Sequence, residues 1–565
     1  MLKAERRLTA AVVFFLSIVT VLTHLSIAKN GLGLLNADLA IFPLLADDLR
    51  NGYWQAFLYQ QHYGGIGLTV VRAGWTVVWE TLFPGLGSHL TAHMAFTFGF
   101  VPVLLTLAVY YFARGFCSKG AAFFVGLITA VGHHYIVTKA FVHGNEFYIT
   151  YLILGLILMG WRLRIHNVWK DLSPIKLVAA GALSGFAFYT HRGSLIFITA
   201  FFLPWEWLVA TTKRILSPRD RYEKTLLWLT GLAFGFYWYL KIWGEDLGEI
   251  YGKHIKLHSG ANSKLTVMLI VLLALKTNWR QIDARILRKA GFAGLGLLIG
   301  LAPELAHWIN QGLFMPLGVN AGAGTGGEYS FSDMFKIMSF IPLYMGEMAK
   351  ADDGIGKNAS LLLLLFGVYF FIKTVRMKKQ VQPLLIVIAF TFFTYVTVYT
   401  YLLAPSRYLV PIYLLIFAGY GLLFDSVKTK LARFVVVVLV LIHMGHHLGA
   451  RERFVKDLKQ SGKVEQMWDV VNTFKQESVP VVISFNFWDT NHFTLMSERS
   501  QYYVSPERHY GPLQGFERVK TAGRVGMIFV RPPETANYFG REWVLEPLKT
   551  VGPWILYTAK AASLQ

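Results

Sequence analysis

The chain has 565 residues, 54% of them hydrophobic and only 15% charged, whereas a soluble domain carries about 25% charged residues. Its net charge of +21 recurs in every second polar loop instead of gathering in one patch, which argues against a nucleic-acid surface and follows the positive-inside pattern of membrane proteins. Cys117 is the only cysteine, so an internal disulfide is excluded.

Lys3, Arg6 and Arg7 precede the apolar run Leu8–Ile27. That run is long enough to cross a bilayer, at about 20 residues, and it lacks a small-residue cleavage pattern. It is expected to be a retained first helix with a cytoplasmic N-terminus. An outer loop over about 28–90 follows. It holds Asp38, Asp47, Asp48, an aromatic and Gln/His-rich middle, and Gly64, Gly65 and Gly67. A loop this long between two spans is seldom a plain connector. Leu39, Phe42, Leu45 and Leu49 share one helical face, which predicts an amphipathic helix lying in the membrane interface. Asp47 and Asp48 then read as charges on its exposed polar face.

Further spans are expected near His93–Phe112, Ala121–Val137, Tyr148–Trp161, Ile175–Tyr189, Leu195–Ala210, Leu226–Trp243, Leu265–Leu275 and Gly291–Leu305. A second long outer loop, about 306–358, contains the Gly-rich VNAGAGTGGEYSFSD. It is either a lid over a site or a plain disordered loop. Spans near Leu361–Phe371, Leu384–Leu403, Tyr408–Phe424 and Phe434–Leu448 complete a bundle of about thirteen helices. The sequence shows no inverted repeat with paired broken helices, which argues against a transporter. From residue 451 to 565 the composition changes. Short β-branched runs at 479–485, 501–505, 525–530 and 554–558 alternate with a helix over Val464–Gln476. This predicts a small extracytoplasmic α/β domain after a transmembrane domain over 1–450.

Candidate chemistry lies on the outer side. Asp38 could act as a general base toward a hydroxyl, or bind a divalent cation beside a phosphate; it could equally cap the helix that follows. Glu146, in HGNE, faces the same side. Two outer carboxylates from separate loops could hold one metal or a cation-bridged phosphate, although Glu146 also suits a helix start. Arg192 in THRGS and Arg407 in SRYLVP break the cytoplasmic bias of the basic residues. Either could fork onto phosphate oxygens or snorkel to headgroups. Glu304 in PELAHWIN could pair with one of these arginines. His62, His191, His254 and His258 lack ligand spacing and read as structural or solvated.

These motifs, in order along nearly the whole chain, resemble the GT-C superfamily of polytopic glycosyltransferases. The bacterial branch related to the dolichyl-phosphate-mannose mannosyltransferases and the lipid A aminoarabinose transferase is most similar. The resemblance rests on Asp38; Ala46–Asp48; Gly52; Tyr59, Gln60, Gln61, Tyr63 and Gly65; GNE before the fourth helix; GALSGFAFYTHRGSL; GLAPELAHWIN; SRYLVPIY; and NFWDTNHFTLMSERSQYYVSPERHY. It implies a GT-C bundle that moves a sugar, with inversion, from a polyprenyl-phosphate donor to a cell-envelope acceptor. The protein would then sit in a bacterial inner membrane, in contact with its lipids. It further implies Asp38 as catalytic base or metal-proximal acid, Glu146 as second acid, Arg407 on the donor phosphate, and His62 and Tyr63 lining the cavity. Mg or Mn on Asp38 and Glu146 is the expected cofactor. The chain departs from the branch at Gly67, Leu68 and Thr69, where an acidic residue is usual. That departure keeps open an inactive scaffold that binds an envelope partner.

Overall fold

The computed structural model describes residues 2–34, 37–53, 57–58, 61–65, 67–85, 89–132, 146–203, 205–243, 246–250, 253–256, 259–278, 284–311, 365, 369, 371–373, 381–394, 413–485, 487–506, 513–533 and 537–562. At some of these, including Asp38, His62, Tyr63 and Glu146, only the backbone is described. Arg407, most of the second outer loop and most of the expected span 361–371 lie outside the described residues.

The first helix, α1 (Leu2–Asn30), is followed by α2 (Ala37–Arg50), the hairpin β1 (Phe57–Leu58) and β2 (Gln61–Gly65), and α3 (Thr69–Leu82). The long helix α4 (His89–Ala113) contains a π turn at Phe96–Phe100. Then come α5 (Lys119–Val131), α6 (Glu146–Arg162), α7 (Pro174–Thr190), α8 (Leu195–Phe202) and α9 (Trp205–Ile215). Residues 195–210, expected as one span, form two helices. The pair turns by 92°. The chain continues through α10 (Arg221–Trp243), the strand pair β3 (Asp246–Ile250) and β4 (Lys253–Lys256), α11 (Ser259–Asn278), α12 (Ala284–Gly300), α13 (Ala302–Gln311), α14 (Pro383–Thr394), α15 (Tyr413–Ser426) and α16 (Lys430–Gln460).

Among the described residues, Glu5–Asn30, His89–Ala113 and the run Lys430–Gln476 are long and apolar enough to cross a membrane. The bent pair α8–α9 adds another if it is read as one span. Large apolar side chains stand exposed along α1, α10, α11, α12 and α16, including Phe14, Leu22, Trp228, Leu232, Met268, Leu298 and Phe434. Such a belt is costly in water and is satisfied by lipid. Two helices meet without side chains between them: an added Cβ at Gly181 or Gly185 on α7 would strike the α12 backbone near Ala293 and Leu297, and Gly296 and Gly300 on α12 return the contact. The glycines stand four apart on each helix, the small-residue spacing by which membrane helices approach closely.

The chain ends in a layered α/β domain. A glycine with φ +62°, Gly462, turns α16 into α17 (Lys463–Gln476); a side chain there would be strained. Then follow β5 (Val481–Ser484), α18 (Phe487–Met496), β6 (Tyr502–Val504), α19 (Leu513–Thr521), β7 (Arg524–Phe529), β8 (Asn537–Tyr538), β9 (Arg541–Val551) and β10 (Trp554–Ala561). The sheet order is β6-β5-β7-β10-β9-β8, with β5 parallel to β6 and β7 and the remaining pairs antiparallel. One face buries Met467, Val470, Phe474, Phe493 and Trp554; the other buries Ile483, Val504, Val519, Met527 and Trp543. The domain is not tethered at one end only. Leu495 of α18 is buried in the core of the helix bundle, and Leu32, just after α1, packs against both cores.

Candidate metal centre at the bundle–domain junction

Helix α2 was expected to float in the interface with Asp47 and Asp48 exposed. The structure overturns this. From Ala40 to Asp48 every residue is buried, with Asp47 at 7% and Asp48 at 3% exposure. The polar side of α2 faces protein because α18 of the sheet domain packs on it. The amphipathic surface helix of the outer loop is instead α3, which buries Thr69, Arg72, Ala73 and Thr76 and exposes Val70, Val71, Val77 and Val78.

A buried carboxylate needs partners, and Asp47 has three. Its Oδ1 lies 2.6 Å from His89 Nε2 and 3.3 Å from His93 Nε2, and Arg499 Nε lies 3.9 Å from Oδ2. The two histidine Nε2 atoms are 3.1 Å apart. His89 and His93 occupy the first turn of α4, four residues apart, so helical geometry stacks them on one face. Behind His89, its Nδ1 meets Glu80 Oε1 of α3 at 2.8 Å, and Arg50 forks onto both Glu80 oxygens at 3.1 and 2.6 Å. Beneath His93, Arg72 donates to the His93 carbonyl at 3.2 Å and to Thr97 Oγ1 at 2.8 Å, with its guanidinium 4.5 Å over the Phe96 ring.

Asp48 pairs with Arg499 Nη1 at 2.6 Å, and Arg499 also donates to the Leu44 carbonyl. Arg499 reaches α2 from the turn after α18, where Glu498 and Arg499 both hold left-handed φ, 50° and 60°. Two consecutive non-glycine residues in that region are strained and persist where surrounding contacts impose them.

Burial alone would raise the pKa of Asp47, but the hydrogen bonds and charges of His89 and His93 outweigh it and hold the carboxyl well below the usual carboxylate range. Glu80 is held down chiefly by its hydrogen bond from Arg50. A carboxylate this acidic is a poor proton acceptor and a good ligand.

Asp47 Oδ1, His89 Nε2 and His93 Nε2 lie within 4.8 Å of one another, a set able to hold a divalent cation. A tetrahedral zinc with bonds of roughly 2.0–2.1 Å spaces its ligand atoms about 3.3–3.4 Å apart, and two of the three separations here, 3.1 and 3.3 Å, are close to that. Two imidazoles with one carboxylate suit zinc or manganese better than magnesium. The carboxylate of Glu80 behind a ligating histidine is the usual outer-shell support. Among the described residues His93 Nδ1 is buried without a hydrogen-bond partner.

The residues expected from the sequence fall elsewhere. Asp38 is the second residue of α2, Glu146 the first of α6, and His62 and Tyr63 lie on β2; their side chains are outside the described residues, as is all of Arg407. Arg192 and Glu304 do meet. The Arg192 fork closes on both carboxylate oxygens of fully buried Glu304, with Nη1 to Oε2 at 2.8 Å. The pair lies just past Gly300, at one end of the α7–α12 glycine seam. His191 beside it is buried, its ring stacked on Tyr151 at 4.8 Å, so it is structural, as expected. Gly67, at the departure from the family pattern, has φ +41°, and a Cβ there would lie 3.1 Å from Thr190 Cγ2. Backbone conformation and the end of α7 both oppose a larger residue at Gly67. The sequence reading missed His89, His93, Glu80 and Arg499. The signal for two of them was HLTAH, a pair of histidines four apart at a helix start.

No family model matches the chain, and no curated protein matches it in sequence. Solved structures do. ArnT from Cupriavidus metallidurans bound to undecaprenyl phosphate aligns over 97% of this chain and 97% of its own, with a TM-score of 0.54 at 12% identity. The apo form of the same protein aligns over 98% of both chains with a TM-score of 0.49. An Archaeoglobus fulgidus oligosaccharyltransferase aligns over 88% of this chain at 15% identity and a TM-score of 0.46, and this chain spans 65% of its length. The likeness to the undecaprenyl phosphate-bound structure is one of fold and runs through both halves of the molecule, the helical bundle and the C-terminal sheet domain.

Proposed function

We propose that the chain is a membrane glycosyltransferase that takes a sugar from a polyprenyl-phosphate donor and passes it to a cell-envelope acceptor on the extracytoplasmic face. The observation that carries this reading is the cluster of Asp47, His89 and His93, backed by Glu80 and gripped by Arg499, at the junction of bundle and sheet domain. Support comes from the end-to-end GT-C fold shared with a protein crystallised with undecaprenyl phosphate. The charge alternation of the loops supports about thirteen spans, a cytoplasmic N-terminus and an inner-membrane location.

Asp38 is the base in this proposal, taking the acceptor hydroxyl proton as that oxygen attacks the anomeric carbon, with inversion. Asp47 is not a second base, because its imidazole partners lower its pKa and leave it a poor proton acceptor. Asp47, His89 and His93 would hold a divalent cation, which when bound supplies positive charge near a departing phosphate. Arg50 and Glu80 fix the His89 ring, and Arg499 closes the sheet domain over α2. Glu146 and Arg407 complete the outer-side set.

The test is release of sugar from a radiolabelled polyprenyl-phosphate donor by the purified full-length protein, with Asp38→Asn and Asp47→Asn beside the wild type. Loss of transfer in both variants with retained folding supports the assignment. Transfer rates equal to wild type in Asp38→Asn would remove its role as base. No transfer by the wild type from any polyprenyl-phosphate sugar, together with capture of an envelope partner, would favour the scaffold reading.

A further inference from the structure

Arg451 lies outside the Asp47 cluster, on α16, and nothing above gives it a task. Its side chain is fully buried, at 0% exposure. A guanidinium stays charged in any protein environment, and a buried charge needs a counter-charge or a full set of hydrogen bonds. Arg451 has neither. Nη1 donates to the Val131 carbonyl at 2.8 Å, while Nε and Nη2 have no hydrogen-bond partner among the described residues. The neighbouring carboxylate, Glu452, accepts instead from Ser26 Oγ at 2.9 Å.

The two unpartnered donors lie on one edge of the guanidinium, the edge that presents a parallel pair of N–H groups to two oxygens of a phosphate or carboxylate. Gly132 ends α5 with φ +84°, and a Cβ on it would lie 2.9 Å from Arg451 Nη1 and 2.9 Å from His24 Nε2. Only glycine takes this conformation easily, and only glycine leaves the arginine and histidine side by side. His24, 2% exposed, has Nδ1 2.8 Å from the Thr20 carbonyl. Its proton therefore sits on Nδ1 in the neutral ring, and Nε2, facing Gly132, is left as an acceptor for a proton on an incoming acid.

Depth narrows the class of anion. Arg451, Gly132 and His24 lie near the ends of α16, α5 and α1 that the charge alternation puts on the outer side. Lipid phosphates occupy that level. Arg451 also tops a stripe of buried histidines on α16, His447 and His443, at four-residue spacing and with rings 4.3 Å apart. Ionisable side chains at such depth ordinarily mark a functional path.

We propose that Arg451, with His24 and Gly132, seats the phosphate of a prenyl-phosphate lipid at the outer leaflet. The choice of prenyl lipid rests on the glycosyltransferase reading; the anion seat rests on the orphaned guanidinium edge. The test uses full-length protein in phosphatidylcholine nanodiscs, with thermal unfolding followed as farnesyl phosphate, farnesol or inorganic phosphate is added. Wild type should be stabilised by farnesyl phosphate and not by farnesol. Arg451→Gln, which removes an uncompensated charge, should unfold at or above the wild-type temperature without additive and should need at least about tenfold more farnesyl phosphate for the same shift. Arg451→Lys keeps the charge, loses the fork, and should also weaken binding by about tenfold or more.

Stabilisation by inorganic phosphate alone, lost in Arg451→Gln, would support the anion seat and overturn the lipid as its source. Equal shifts in wild type and both variants would overturn the seat, as would no shift by either phosphate in wild type. An unliganded Arg451→Gln protein that melts well below wild type would make the arginine a structural brace and also overturn it. Sugar transfer with an unchanged donor KM in Arg451→Gln would reject the seat and leave the transferase standing. Arg451-dependent farnesyl phosphate binding by a protein that transfers no sugar would do the reverse.

Discussion

Arg499 offers the sharpest test of how the sheet domain is held to the bundle. Replacing it by methionine keeps much of the apolar stem and removes the charge. Asp48, 4% exposed at the side chain, loses a contact of 2.6 Å, and Asp47, 9% exposed, loses a charge at 3.9 Å. The Leu44 carbonyl also loses its donor. Removing one partner of a buried pair leaves an uncompensated charge and costs about 3–5 kcal/mol. The lower figure alone raises the population of the opened junction by about a hundredfold, at ~1.4 kcal/mol per factor of ten. Hydrogen exchange read by mass spectrometry on peptides from α2 and α18 measures that opening directly. Exchange in both helices should accelerate on the order of a hundredfold in Arg499→Met, while β9 and β10, on the far side of the sheet, change little. Adding Asp48→Leu to Arg499→Met should recover most of the protection, because the orphaned carboxylate is then gone. An acceleration below about tenfold in the single variant would refute the view that this pair clamps the domain. As a control, the exposed Lys520–Glu517 pair, at 64% and 72% side-chain exposure, should contribute under about 1 kcal/mol.

Three further outcomes are expected. Zinc should raise the unfolding temperature of the full-length protein, His93→Asn should abolish the effect, and Glu80→Gln, which only supports the His89 ring, should weaken zinc affinity by about 10–100-fold; isothermal titration reads this without any activity assay. Glu304→Gln leaves the Arg192 fork facing a neutral amide, should destabilise the outer turn by on the order of 2–3 kcal/mol, and is checked by thermal unfolding and exchange in α7 and α13. His492, fully buried in α18, is pushed down to about 3 by burial and by Lys463. The unfolded chain takes up that proton near pH 6.5 and the folded chain does not, so the domain should lose stability as pH falls below 6.5, by about 2 kcal/mol at pH 5. His492→Gln should flatten that slope in urea titrations of the full chain at pH 7 and pH 5, and an unchanged slope would refute the assignment.

The sequence carried the coarse architecture because its signals are local. Apolar runs and loop charges announced a helical membrane protein, and β-branched runs between polar turns announced β5, β6, β7 and β10. It did not announce β9, whose residues Arg541–Val551 alternate poorly, with Glu, Lys and Pro on a largely exposed edge. Nor did it announce the bend between α8 and α9, since the apolar content runs through it.

The site was harder to read for a different reason. Asp47 and Asp48 sit beside Arg50 in a helix whose apolar face is plain, and a charge on the opposite face is ordinarily a charge in water. What reverses that reading is α18, more than 400 residues later, which arrives with Arg499 and covers the polar face. Burial then changes the chemistry of the same side chains. An exposed aspartate titrates near its ordinary value and binds cations weakly, whereas Asp47 is held ionised between two imidazoles. The sequence offered one local hint, the four-residue spacing of His89 and His93, which helical geometry converts into a pair of nitrogens on one face. Arg451 follows the same logic. It lies beside the acidic Glu452 and looks solvated, but α16 runs on unbroken through it, and α1 and α5 close over the guanidinium. In both places the chain of reasoning from residue to function passes through long-range packing: the sequence names the charged group, and the fold decides whether it must find a partner in the protein or wait for one outside it.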